Sequence, residues 1–205
     1  MEAAMNATTL AWGVASLPLP GESESGDTCV VKAFDAGALV AVIDALGHGP
    51  EAAHAAGVAV RVLEGHACEK PGMLLHRCHE QMHDTRGAAI SAASFDWPRR
   101  IMTWLGIGNV LGVLVRADPE VDPRVKLMVV HGGVIGYQLP DLRPLVVQIA
   151  PGDVLILATD GVRSDFTEIL PAAMNPQRLA DRILKEYATR SDDALVLVFH
   201  CGGDA

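Results

Sequence analysis

Apolar runs of strand length recur along this chain, and four of them meet an aspartate at one end. Asp44 closes Ala-Val-Ile-Asp44, and Asp160 closes Leu-Ile-Leu-Ala-Thr-Asp160. Asp192 and Asp193 open the run Ala-Leu-Val-Leu-Val, while Asp27 opens another after Ser25-Gly26. Carboxylates at the ends of buried strands lie where sheet edges converge, and rigid elements hold them in fixed geometry. Like charges gathered in one place repel and call for a compensating cation. Hard divalent ions such as Mg²⁺ and Mn²⁺ prefer carboxylate, carbonyl and water oxygens. A single Asp-Gly after a strand is ordinarily a turn, so the ordered set carries the inference.

The remaining pattern falls into blocks. Residues 8–16, 28–34 and 38–44 read as strands, and 50–67 and 71–85 as proline-led helices. From 88 to 158 the texture is β, with strands at 88–95, 101–106, 110–116 and 125–130 between turn signals. Residues 134–138 and 145–149 flank Leu139-Pro140-Asp141 as a hairpin, and 154–159 runs into Asp160-Gly161. A helix over 176–189 and a buried strand over 194–200 follow the least regular stretch, 162–175. Blocks of this kind favour α+β with antiparallel sheets over a doubly wound fold. At 205 residues the length fits a single domain over 1–205, with its core at about 8–200.

A formal net charge of −9 argues against unaided binding to nucleic acid or to an anionic membrane. No apolar run reaches the ~20 residues a membrane-spanning helix needs. Cys29, Cys68, Cys78 and Cys201 lack the paired spacing of a zinc or redox motif. Residues 1–6 carry no basic leader, so the cysteines read as reduced thiols of a cytoplasmic protein.

Four elements resemble the PP2C-like metal-dependent phosphatases, in their bacterial SpoIIE-type branch. They are Ser25-Gly26-Asp27, Asp44-Ala45-Leu46-Gly47-His48-Gly49 followed by Glu51-Ala52-Ala53, Asp160-Gly161-Val162, and Asp192-Asp193-Ala194-Leu195. Gly106-Ile107-Gly108-Asn109-Val110 is similar to the central strand region of the small RsbX-type stressosome phosphatases. The resemblance implies a four-layer αββα sandwich, two antiparallel sheets flanked by helices. It implies two ions, Mn²⁺ or Mg²⁺, with Asp44 bridging them and the Ala45 carbonyl on one. Asp160 and one of Asp192 and Asp193, preferably Asp192, would hold the other, and Asp27 would orient water nearby. The implied reaction is hydrolysis of phosphoserine or phosphothreonine by a metal-activated water. For the RsbX-like branch the implied partners are RsbR- and RsbS-like STAS proteins of a stressosome, and the implied role is negative feedback on a general stress response. With no sensor module in sight, control would come from expression, location or the partner.

The chain departs from the family at three points. Alanine stands at 45 where glycine is frequent, and a carbonyl ligand there requires a backbone that avoids positive φ. No arginine precedes Arg61, so phosphate would be held mainly by the ions. Leu46 occupies the position of a histidine suggested as general acid, which leaves the displaced His48 as candidate proton donor or as a turn-packing residue.

Other readings compete. A SpoIIE/RsbU-like phosphatase acting on an anti-sigma-factor antagonist would carry the same motifs. His79-Glu80-Gln81-Met82-His83 matches the His-Glu-x-x-His of zinc proteases. Asp84 directly follows it, no third ligand presents itself, and residues 74–85 look polar enough for an exposed helix. A catalytically dead binding module would have lost an acid from one station, and none is lost.

Overall fold

The structure, a computed structural model, describes residues 10–170 and 174–202. Residues 1–6, 8 and 9, read above as lacking a leader and as starting a strand, lie outside them, as do 171–173 of the irregular stretch. The chain begins β1 (Trp12–Leu17), β2 (Asp27–Phe34), β3 (Gly37–Ala45), α1 (Gly49–Gly65) and α2 (Pro71–Gln81). The β block follows: β4 (Ala88–Asp96), β5 (Ile101–Ile107), β6 (Leu111–Val115), β7 (Val125–Met128), β8 (Val130–His131), β9 (Leu145–Gln148) and β10 (Val154–Ala158). A 3₁₀ segment (Ser164–Ile169), α3 (Pro176–Tyr187) and β11 (Ala194–His200) complete it.

One sheet has the order β1-β11-β10-β6-β7 and is antiparallel throughout. The other runs β2-β3-β4-β5, and two short strands share the far edge of β5. There β9 pairs antiparallel with residues 101–104, whereas β8 pairs parallel with Gly106 and Ile107.

Strand alternation builds the layers. In β3, Leu39, Ala41, Ile43 and Ala45 join the core under the helices, with Ala52, Leu63 and Leu74 of α1 and α2. The intervening Ala38, Val40 and Val42 face the other sheet and share a core with Leu155, Leu157, Leu197 and Phe199. In β11 the opposite set, Ala194, Val196 and Val198, packs with Leu179, Ala180 and Ile183 of α3. Successive strand residues point to opposite faces, so two sheets with both faces covered yield helix, sheet, sheet and helix. The expected αββα sandwich is what forms. Each fully buried Val, Leu or Ile contributes about 1.5–3 kcal/mol, which makes β3 and β11, buried on both faces, the thermodynamic centre of the fold.

Several expectations need correction. The run 125–130 is not one strand: β7 joins the first sheet and β8 the second. The break falls at Val129, whose carbonyl accepts the Trp104 indole N–H at 2.7 Å. Residues 134–138 form no hairpin with 145–149. They fold into a turn with Gln138 N–H on Val134 O at 2.8 Å, while β9 pairs with β5. The parallel β5–β8 pair also departs from all-antiparallel sheets. Helix α2 stops at Gln81, short of 85, and it is not simply exposed: Leu74, Leu75, Cys78 and the following Met82 are fully buried.

Candidate metal centre

Both sheets deliver carboxylates to the same end of the sandwich. Asp27 and Asp44 are register partners on β2 and β3. Asp160 lies just past β10, and Asp192 and Asp193 just before β11. Two side chains stitch the sheets together there. Thr159 Oγ1 donates to Asp27 Oδ2 at 2.6 Å and accepts the Leu195 N–H at 2.8 Å. Asp193 accepts the Leu19 N–H on Oδ1 and the Gly26 N–H on Oδ2, each at 2.7 Å. Gly161 lets the ends of β10 and β11 approach, because a Cβ there would stand 2.0 Å from the Asp193 carbonyl oxygen.

The environments of these acids differ. Burial pushes the Asp44 carboxyl up to about 8, reinforced by Asp27, Asp160, Asp192 and Asp193. Burial likewise raises Asp27 to about 7; the Thr159 hydroxyl opposes the shift, and the charges of Asp193, Asp160 and Asp192 add to it. Asp160 is raised by burial and by Asp192, with the Asn109 side-chain N–H, 2.6 Å from its Oδ2, pulling the other way. Asp192 is half-buried and its Oδ1 accepts the Asp193 N–H at 2.8 Å.

Asp44 Oδ2 is buried and has no hydrogen-bond partner. An orphaned carboxylate oxygen costs several kcal/mol when ionised unless a cation or proton meets it. The surrounding donors are all oxygens, and their mutual repulsion is the complement of a hard divalent ion. Among the described residues no three His, Cys, Asp or Glu side chains are gathered closely enough to hold one ion as they stand. Oxygens of Asp27, Asp160 and Asp193 are hydrogen-bonded to Thr159, Asn109 and backbone amides. The acids share one electrostatic field rather than one contact shell, and on donor chemistry they fit a divalent cation.

Ala45 ends β3 as an ordinary strand residue paired with Ala88, outside the positive-φ residues, so alanine is compatible with an outward carbonyl. His48 is exposed at the N-cap of α1 and its Nδ1 lies 2.7 Å from Glu22 Oε1. Thr159 and Asn109 escaped the sequence reading. Thr159 sits beside Asp160 in a strand end where a hydroxyl is easily taken for filler. Asn109 lies in the element 106–110, where nothing local points its amide to Asp160, 51 positions away.

The His-Glu-x-x-His element is architectural. His79 Nδ1 accepts the Gly136 N–H and His83 Nδ1 donates to the Gly136 carbonyl, both at 3.0 Å. The rings meet edge to face with centroids 4.7 Å apart, and His83 lies beyond the end of α2. Burial, with His83 and His76 nearby, lowers His79, in the direction that suits an accepting Nδ1.

The family described as Stage II sporulation protein E (SpoIIE) matches residues 35–202. Phosphoserine phosphatase RsbX of Bacillus subtilis (strain 168) is 26% identical over 179 residues, 87% of each chain. A crystal structure of RsbX in complex with magnesium matches with a TM-score of 0.80 at 25% identity, over 91% of this chain and 92% of that one. A structure from work on the bacterial stressosome, as a modular system adapted to control secondary messenger signalling, matches with a TM-score of 0.84. It is 26% identical and covers 93% of this chain and 99% of its own. The SiaA PP2C domain of Pseudomonas aeruginosa shares the fold, with a TM-score of 0.77 at 20% identity over 92% of this chain and 85% of that one.

Proposed function

We propose a substrate and a mechanism from one established premise: the chain belongs to the SpoIIE family and is a PP2C-type protein serine/threonine phosphatase. Its substrates are phosphoserine and phosphothreonine on RsbR- and RsbS-like STAS proteins of a stressosome, and its action is negative feedback on a general stress response. Similarity to RsbX over most of both chains supports this. We place the enzyme in the cytoplasm, consistent with free thiols at Cys29, Cys68, Cys78 and Cys201. Among the described residues no helix is long and apolar enough to cross a membrane.

The observation that carries the mechanism is the buried, unpartnered Asp44 Oδ2 facing acids from both sheets. Asp44 and the Ala45 carbonyl would hold one Mn²⁺ or Mg²⁺, and Asp44, Asp160 and Asp192 a second. When bound, such ions neutralise charge on the phosphoryl oxygens and make water nucleophilic near neutral pH. Asp193, closed by two backbone amides, fixes the loop that presents Asp192 rather than serving as a ligand itself. Asp27, held by Thr159, would orient the attacking water. His48 gives that oxygen its proton; Glu22 occupies Nδ1 and leaves Nε2 available.

Phosphate release from phosphorylated RsbR- and RsbS-like proteins in Mn²⁺, lost with chelator and in Asp44→Asn, is the expected result. A second reading, a SpoIIE/RsbU-like enzyme acting on an anti-sigma-factor antagonist, is favoured by the family match itself. Inertness toward the stressosome proteins with turnover of such an antagonist would select it.

A further inference from the structure

Beside the acidic centre lies a depression of about 560 Å³ lined by Leu46, Gly47, Arg86, Val134, Tyr137 and Gln138. Leu46 is two residues from Asp44, so this groove adjoins the candidate metal centre along the chain. Its apolar side chains are turned outward: Leu46 is 44% exposed and Tyr137 70% exposed. Its frame is rigid. Leu46 N–H donates to Gly87 O at 3.1 Å, and Ile135 exchanges backbone hydrogen bonds with Ala88 at 2.9 and 3.0 Å. The two histidines grip Gly136 from below. An aromatic held outward on a fixed turn loses little entropy on contact, as binding anchors do.

Arg86 is the cation of this groove in a chain of net charge −9. Glu51 engages its Nε and Nη2. Nη1 instead lies over Gly47, 2.5 Å from where a Cβ would stand. The guanidinium is thus pre-oriented by Glu51 and keeps one amino group directed at the groove.

We propose that this groove docks the segment flanking the phosphorylated residue of the protein substrate, reading an acidic side chain with Arg86 and an apolar one with Leu46 and Tyr137. The proposal rests on the phosphatase reading above and deepens it to substrate chemistry. Charge complementarity chooses the occupant: a basic segment would meet Arg86 as a like charge, and an uncharged one would offer no carboxylate to the Nη1 group that Glu51 leaves unengaged.

The test uses two fluorescent phosphoserine peptides that differ only in flanks, Leu and Asp in one, Gly and Lys in the other. Anisotropy in chelator reads binding apart from turnover, and p-nitrophenyl phosphate hydrolysis in Mn²⁺ is measured alongside. The intact chain is expected to prefer the acidic, apolar peptide about tenfold, an effect of the size of a few favourable contacts. Tyr137→Ala and Arg86→Ala should bring the ratio close to one, and Arg86→Glu should invert it, a gain that misfolding cannot mimic. Equal binding of both peptides to the intact chain overturns the proposal, as does a preference that survives Arg86→Glu. So does a dimer in solution that Tyr137→Ala dissolves without any peptide preference, since a second copy then fills the groove. Peptide preference without p-nitrophenyl phosphate turnover keeps the docking surface and removes the phosphatase mechanism. Turnover without preference does the reverse.

Discussion

The two sheets bring their acids to the centre in opposite conditions. On the β3 side, Asp27 and Asp44 are desolvated strand residues, their carboxyls raised to about 7 and about 8 mainly by burial. On the β11 side, Asp160 is exposed and Asp192 half-buried, while Asp193 is buried but answered by two backbone N–H groups. Desolvation without a partner creates a demand for positive charge, and exposure with hydrogen bonds creates access. The difference teaches that aspartates of one cluster can be held in unlike ways: Asp193 is answered by two backbone amides, whereas the buried Asp44 Oδ2 has no partner.

That division can be broken most directly at Asp44. Asp44→Asn should lower p-nitrophenyl phosphate turnover by at least about 10²–10³-fold, the scale set by removing one preorganised electrostatic group. In chelator the same variant should melt higher at pH 8, because a strained buried charge is gone. Turnover near the starting level would remove Asp44 from the centre. Next in size, Asp193→Ala should destabilise the fold by roughly 2–5 kcal/mol in urea melts, since one buried and one partly buried amide lose their acceptor. Asp192→Ala, which loses a single partly buried hydrogen bond from the Asp193 N–H, should cost only about 1 kcal/mol and act on metal-dependent turnover. Equal stability of the two variants would erase the contrast.

The pH dependence sharpens the same comparison. Asp27 and Asp44 bind protons more tightly folded than unfolded, because their folded values lie far above 3.8. In chelator, stability should therefore fall as pH rises from about 4 to about 8, by about 1.4 kcal/mol per pH unit for each carboxyl protonated only in the folded state. Added Mn²⁺ should oppose the fall most at high pH. A melting temperature that climbs across this window in chelator would contradict the raised values. A smaller effect than at Asp193 is expected at Thr159→Val, which removes the hydrogen bond to Asp27 and the side-chain acceptor of the Leu195 N–H and should cost about 1–3 kcal/mol. It should also push the Asp27 titration, followed by carboxyl NMR, further upward.

Much of this was legible in the chain. The ends of β3, β10 and β11 carry their acids where the apolar runs stop, because a buried strand must be apolar and a turn tolerates Asp and Gly. What stayed hidden depends on distant partners. Residues 125–130 look continuous, yet the Trp104 indole claims the Val129 carbonyl and the chain changes sheets. Residues 134–138 alternate like a strand but are tied at Gly136 to His79 of α2 and to His83 just past its end. Nothing local reveals that Thr159 reaches Asp27, 132 positions away. Helix α2 looked exposed because its buried residues, Leu74, Leu75 and Cys78, are few and set among charges.

Anomalous diffraction from crystals grown with Mn²⁺ tests most directly whether acids of both sheets serve one centre. Manganese peaks touching Asp44 Oδ2, with further ligands from Asp160 or Asp192, are the expected result. Manganese bound only elsewhere, with Asp44 still unligated, would contradict it.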